Sequence, residues 1–219
     1  MAETQTLTYE RRDTRRLMIG SVPVGAGAPI TVQSMTNTKT QAVTETVEQI
    51  GRLTAAGCDL VRLAVPDMEA AKALAQIKRQ VQVPLIADIH FDYRLALAAL
   101  ESGVDALRIN PGNIGEAKYV RMVVDGAKER QVPIRIGVNA GSLDKRILAK
   151  HDGQVTAAGM VESALEHIRL LEELDFFDIK ISLKAHDVPL TLAAYRLMSQ
   201  TVNYPLHLGV TEAGTIRSG

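Results

Sequence analysis

Cysteine is nearly absent from this sequence: Cys58 is the single one among 219 residues. A lone thiol cannot close an internal disulfide or build a four-ligand thiolate metal site, and such scarcity fits a reducing, cytoplasmic compartment. Net charge is missing as well, with 25 Lys+Arg against 25 Asp+Glu. That balance leaves no electrostatic footprint for DNA or RNA, and without a basic tract nothing points to a membrane surface. No apolar run approaches the roughly 18 residues of a membrane span. Met1–Arg16 has no apolar h-region, and Glu3, Glu10 and Asp13 argue against a transit peptide. Disorder is excluded by a hydrophobic fraction of 46% and a charged fraction of 23%, the composition of a globular chain.

What is present is a repeat. Apolar, β-branched runs occur at 30–35, 59–65, 84–90, 105–110, 133–139, 178–183 and 205–211. Helical patterns fill the intervals at 44–56, 68–80, 94–102, 115–130, 157–174 and 190–201. Strands alternating with helices of this length predict βαβ units and a parallel sheet. The even-numbered runs follow a helix end and an Asp (Asp59, Asp105, Asp178), and the odd ones from the third onward open on Pro84, Pro133 and Pro205. Proline suits the first residue of a strand, where no ladder donor is lost. The fold class expected is α/β, a (β/α)8 TIM-type barrel represented by seven units, with the eighth missing. Residues 1–29 form an extension with a small hairpin across Leu17–Ile19 and Val22–Val24, placed to plug the barrel bottom, and 30–219 form the incomplete barrel. The alternative is a doubly wound open sheet, although no Gly-x-Gly-x-x-Gly follows the first strand.

Residues two apart in a strand share a face. One face of each predicted strand is apolar: Val61/Leu63/Val65, Leu107/Ile109, Ile134/Ile136/Val138, Ile179/Ile181/Leu183. The other is polar. It carries Thr31 and Gln33, Arg62 and Ala64, Asp88 and His90, Arg108 and Asn110, then Arg135, Gly137 and Asn139, Lys180, Ser182 and Lys184, and finally His207, Gly209 and Thr211. In a barrel that face lines the interior, which then holds five cations and one carboxylate. An unpaired buried cation is disfavoured by several kcal/mol. Either some arginines pair with Asp67, Asp88 or Glu212 and brace the barrel, or the set binds a ligand with several negative charges, most simply a diphosphate. Arginine forks match phosphate oxygens bidentately.

The turns Asn110-Pro111-Gly112-Asn113 and Asn139-Ala140-Gly141-Ser142 offer backbone amides for an anion. The stretch 141–156, with Lys145, Arg146, Lys150 and His151, reads either as a lid over phosphates or as a solvated loop. His90, His186 and His207 with Asp88 and Glu212 have the residue types of a zinc or iron site, but no third ligand is fixed by spacing, and hydrogen bonding to substrate is the simpler role. Cys58 is expected to be a small buried hydrophobe.

Seven motifs then occur in order: Val32-Gln33-Ser34-Met35-Thr36-Asn37-Thr38, Val61-Arg62-Leu63-Ala64-Val65-Pro66, Ala87-Asp88-Ile89-His90-Phe91, Leu107-Arg108-Ile109-Asn110-Pro111-Gly112-Asn113-Ile114, Ile134-Arg135-Ile136-Gly137-Val138-Asn139, Ser182-Leu183-Lys184-Ala185 and Leu208-Gly209-Val210-Thr211-Glu212-Ala213-Gly214. From about Arg11 to Gly219 the chain resembles the 4-hydroxy-3-methylbut-2-enyl diphosphate synthases, iron–sulfur oxidoreductases of the methylerythritol phosphate route to isoprenoids. The resemblance implies reductive ring opening of 2-C-methyl-D-erythritol 2,4-cyclodiphosphate with loss of a hydroxyl as water. It implies a barrel followed by a domain holding a 4Fe-4S cluster, a homodimer in which that domain closes over the partner's barrel, and flavodoxin or ferredoxin as electron donor. By the same resemblance Arg62, Arg108, Arg135 and Lys184 bind diphosphate with support from Asn139, and Glu212 is a catalytic acid or hydrogen-bonding group. Asp88 and His90 match polar rim positions, while Asn110 and Ser182 belong to the candidate substrate-binding set through their strand faces. The family holds its cluster with three cysteines and a glutamate; this sequence has only Cys58, so the chain reads as an amino-terminal fragment unable to perform the reduction alone. The competing reading is a non-redox phosphate-binding barrel, such as a pterin synthase-like transferase.

Overall fold

The structure, a computed structural model, describes residues 11–211 and 214. Strands β1 (Leu17–Ile19) and β2 (Val22–Val24) pair as an antiparallel hairpin. Gly20 makes its turn at φ +56°, and a Cβ there would meet Asp105 Oδ1 at 2.8 Å. Then follow β3 (Gln33–Met35), α1 (Val43–Ala55), β4 (Leu60–Ala64), α2 (Met68–Lys78), β5 (Leu85–Asp88) and α3 (Tyr93–Glu101). The remainder comprises β6 (Ala106–Ile109), α4 (Ala117–Glu129), β7 (Ile134–Asn139), α5 (Lys145–Lys150), α6 (Ala157–Glu172), β8 (Ile179–Lys184) and α7 (Val188–Thr201). Helix starts follow their local chemistry: Asp67, Asp92, Thr156 and Asp187 each accept a backbone N–H of the first turn. Among the described residues no helix is long and apolar enough to cross a membrane.

Six strands form one parallel sheet in the order β3-β4-β5-β6-β7-β8. Each strand lies beside its predecessor, so there is no reversal of order and hence no switch point; the doubly wound alternative is overturned. The sheet curls into a half-barrel. Its outer face, including Leu63, Leu107, Ile136 and Ile181, is buried under helix residues such as Leu74, Ala99, Val124 and Ile168.

The expected seventh strand is corrected. Residues 205–211 run beside β8 but make a single parallel bridge, Ile181 to Leu206. Ile181 N donates to Pro205 O at 3.0 Å and His207 N donates to Ile181 O at 2.7 Å. The next rung of a parallel ladder would run from Leu183 N to His207 O. Instead the Tyr195 hydroxyl of α7 sits between them, accepting from Leu183 N at 3.1 Å and donating to His207 O. A helix side chain replaces a rung and strand pairing stops. Val32 and Leu208, beside the two open edges, remain exposed.

The hairpin lies under the sheet. Ile19 and Val24 cluster with Leu60, Ile86 and Ala106, inward residues near the amino-terminal ends of β4, β5 and β6. Ile19→Ala should therefore lower stability by about 2–4 kcal/mol through lost burial and a residual cavity, read as a shift in urea midpoint. A change under ~0.5 kcal/mol would mean the hairpin contributes no floor.

Candidate functional site

Strand register decides what meets inside the half-barrel. Asp88 on β5 pairs with Arg108 on β6, Arg108 with Arg135 on β7, and Arg135 with Lys180 on β8. Two further rungs along β7 and β8, Gly137 faces Ser182 and Asn139 faces Lys184. On the other side Met35 pairs with Arg62. The five cations selected by strand parity thus share one interior, and Arg108, Arg135 and Lys180 are each less than a tenth exposed.

Among the described residues Asp88 is the one carboxylate within 4.0 Å of any of them. Its oxygens lie 3.7 Å from Arg62 Nε, 3.3 Å from Arg108 Nη1 and 3.5 Å from Nε2 of the half-exposed His90. Arg62 otherwise points its guanidinium at Met35 Sδ, at 3.1 and 2.9 Å, a weak acceptor. Arg108 lies flat across Gly137, where a Cβ would stand 2.5–2.9 Å from guanidinium atoms. So Asp88 does brace two arginines, as one reading of the sequence held. Asp67 does not; it caps α2 through Ala70 N.

Arg135, Lys180 and Lys184 have no carboxylate within 4.0 Å among the described residues. Arg135 Nε and Nη1 and Arg108 Nε are buried without any hydrogen-bond partner there. Burial, reinforced by the neighbouring cations, lowers these groups: Lys180 to about 7, Lys184 to about 8, and Arg135 well below the usual arginine range. His207 faces the same interior and is held neutral, first by burial and then by Arg135, Lys180 and Lys184. Side-chain donors converge here with too few acceptors among the described residues. Such a concentration of unbalanced donors is an anion site by its physics.

The other predicted residues are distributed as follows. Ser182 Oγ is buried and donates to Ile136 O at 3.4 Å. Asn139 is half-buried at the end of β7, before a short 3₁₀ turn at Ala140–Ser142. Asn110 Oδ1 accepts from Gly112 N at 3.2 Å. Asn110 also lines a groove of about 470 Å³ outside the barrel wall, together with Ser142, Asp144, Arg146, Glu166 and His167. Glu212 lies outside the described residues. The 141–156 stretch is no loose loop: α5 occupies its middle, Arg146 and Lys150 pair with Glu166 and Glu162 of α6, and His151 Nε2 lies 3.3 Å from Glu162. These cations are already partnered and do not serve the interior. His186 is exposed beyond β8, and among the described residues no three His, Cys, Asp or Glu side chains converge as a metal site.

Three contributors escaped sequence reasoning. Met35 shares strand parity with Gln33 and was findable. Gly137, a glycine inside a strand, signals close approach of another group. Tyr195 left no signal: α7 follows β8 directly in the chain, but no sequence pattern shows that this hydroxyl reaches back to Leu183 and His207. A 4Fe-4S cluster does not fit the residues present: Cys58, the one thiol, is buried at the entry to β4, donating to Leu60 O at 3.0 Å.

The profile of the GcpE TIM-barrel domain matches residues 14–219. The chain is similar to 4-hydroxy-3-methylbut-2-en-1-yl diphosphate synthase (flavodoxin) of Geobacter sulfurreducens, 63% identical over 206 residues, covering 94% of this chain and 58% of that protein. The same-named protein of Pseudomonas fluorescens is 59% identical over 210 residues, covering 96% and 57%. The chain thus spans little more than half the length of these relatives. Among solved structures, Yersinia pestis dihydropteroate synthase matches with a TM-score of 0.59 at 10% identity, covering 87% of this chain and 74% of that one. A truncated 3-deoxy-D-arabino-heptulosonate 7-phosphate synthase of Thermotoga maritima matches with a TM-score of 0.61 at 12% identity, covering 89% and 68%. At such identities the likeness is one of fold.

Proposed function

Because the chain belongs to the GcpE family through its TIM-barrel domain, we propose that it is the substrate-binding barrel of a flavodoxin-dependent 4-hydroxy-3-methylbut-2-enyl diphosphate synthase. The observation that carries this reading is the surplus of interior cations: Arg62, Arg108, Arg135, Lys180 and Lys184 against Asp88 alone among the described residues. The two charges of 2-C-methyl-D-erythritol 2,4-cyclodiphosphate would balance half of that surplus. Arg62, Arg108, Arg135 and Lys184 take the diphosphate, while Asn139, Ser182 and Asn110 belong to the surrounding polar shell. Asp88 and His90 orient the sugar-derived hydroxyls at the rim, with Glu212 as the acid. The reduction itself needs a 4Fe-4S cluster, which the resemblance assigns to a separate domain of a cytoplasmic homodimer; Cys58 takes no part in it.

Isothermal titration with the cyclodiphosphate tests the site. A charge-assisted contact is worth roughly 1.5–3 kcal/mol, so Arg135→Met should weaken binding at least about tenfold. The same substitution should raise the melting temperature, because a buried unpaired cation gives way to an apolar side chain. A residue kept for stability would do the opposite. Unchanged affinity in both Arg135→Met and Arg108→Ala would sink the site, and tighter binding of a pterin diphosphate would favour the transferase reading.

A further inference from the structure

Lys180 has no assigned task among the diphosphate ligands, yet it is 4% exposed and points inward from β8 beside Arg135. Among the described residues two titratable groups face it: Arg135, its register partner on β7, and His207 from the 205–211 side. Through Arg135 it adjoins the cluster that contains Arg62 and Arg108. Among the described residues the one carboxylate there, Asp88, is shared by Arg62, Arg108 and His90. A buried cluster of this composition accommodates one more positive charge most readily when an anion accompanies it.

Resting on the anion-site reading above, we propose that Lys180, buried on β8 in register with Arg135, is a further diphosphate-binding residue that takes up a proton from solvent as the anion enters. An arginine cannot do this, since a guanidinium keeps its proton under almost all conditions. An amine can, and burial beside Arg135 already holds Lys180 near neutrality. The step is a simple transfer: a proton leaves water or buffer, the Nζ lone pair takes it, and the resulting ammonium faces phosphate oxygen. Each phosphorus of the cyclodiphosphate has one acidic oxygen, ionised throughout the neutral range, so the ligand brings no proton of its own.

The sign follows from linkage. At pH 8 free Lys180 is mostly deprotonated and Lys184 about half so; the anion raises both, so binding takes up protons and weakens as pH rises from 7 to 9. Titrating the chain with cyclodiphosphate at pH 8, in buffers of different ionisation enthalpy, measures this directly. Wild type should take up on the order of one to one and a half protons per ligand, and Lys180→Met about half a proton, left to Lys184. Lys180→Arg should restore affinity but not the Lys180 share of the uptake. Uptake near zero in wild type, or unchanged in Lys180→Met, overturns the proposal while leaving the diphosphate site standing. Absence of binding to wild type overturns both.

Discussion

Alanine at position 137 should weaken cyclodiphosphate binding about tenfold or more while leaving the fold nearly intact. The added methyl would stand 2.5–2.9 Å from the Arg108 guanidinium, far inside contact distance. The backbone need not move, because the obstructing atoms are the end of a flexible side chain. Arg108 must swing away, losing both its 3.3 Å approach to Asp88 and its position over β7. A charge-assisted contact removed in this way corresponds to roughly 1.5–3 kcal/mol of binding. The effect should vanish in an Arg108→Ala background, since the clash has then no partner; a double-mutant cycle by calorimetry reads this coupling. Additive losses would show that Gly137 serves the backbone rather than the arginine.

Asp88→Asn should have the largest effect on stability. Asp88 is 3% exposed and, among the described residues, is the sole counter-charge for Arg62 and Arg108. Breaking a buried pair by removing one partner typically destabilises by roughly 3–5 kcal/mol. Arg62 keeps some solvent contact, so the lower end, about 3 kcal/mol, is expected from urea unfolding. The same change removes the carboxylate that balances the interior cations among the described residues. Ligand should then stabilise the variant more than it stabilises wild type, and the ligand-induced rise in melting temperature should be larger. A variant as stable as wild type would mean that Asp88 is not holding the arginines.

Much of this site was legible because strand parity needs no coordinates. Arg62, Arg108, Arg135, Lys180 and Lys184 fall on one parity of their runs, with uniformly apolar residues on the other, and parallel pairing brings that parity to one side. Most strand and helix spans agree to within about two residues; the exceptions are 30–35, which shortens to Gln33–Met35, and 205–211, which makes one bridge only. What failed was what crosses between elements. The Tyr195 hydroxyl ends the ladder from a helix 12 residues away from Leu183. The 141–156 stretch read as a lid or a solvated loop because its cations were visible and their partners on α6 were not. Asp144, which caps α5 through Arg146 N, and the apolar Leu143, Ile147 and Leu148 were the available clue to that short helix.

The strictly sequential strand order has a consequence for how the chain assembles. Each strand can dock on the one synthesised just before it, so most of the sheet grows by short-range closure, the fast kind. The hairpin is the exception. Ile19 and Val24 are made before every sheet strand, yet their cluster includes Ala106 and is incomplete until β6 has emerged. The charges arrive in a telling sequence too: Arg62 is followed by Asp88 before Arg108, Arg135, Lys180 and Lys184 appear. The first strands close neutral, and the last two add positive charge to an interior that already has no spare counter-ion. Late docking of β7 and β8 thus carries the electrostatic cost of assembly against the burial of their apolar face, and dissolved anions that can enter the half-formed barrel should lower that cost.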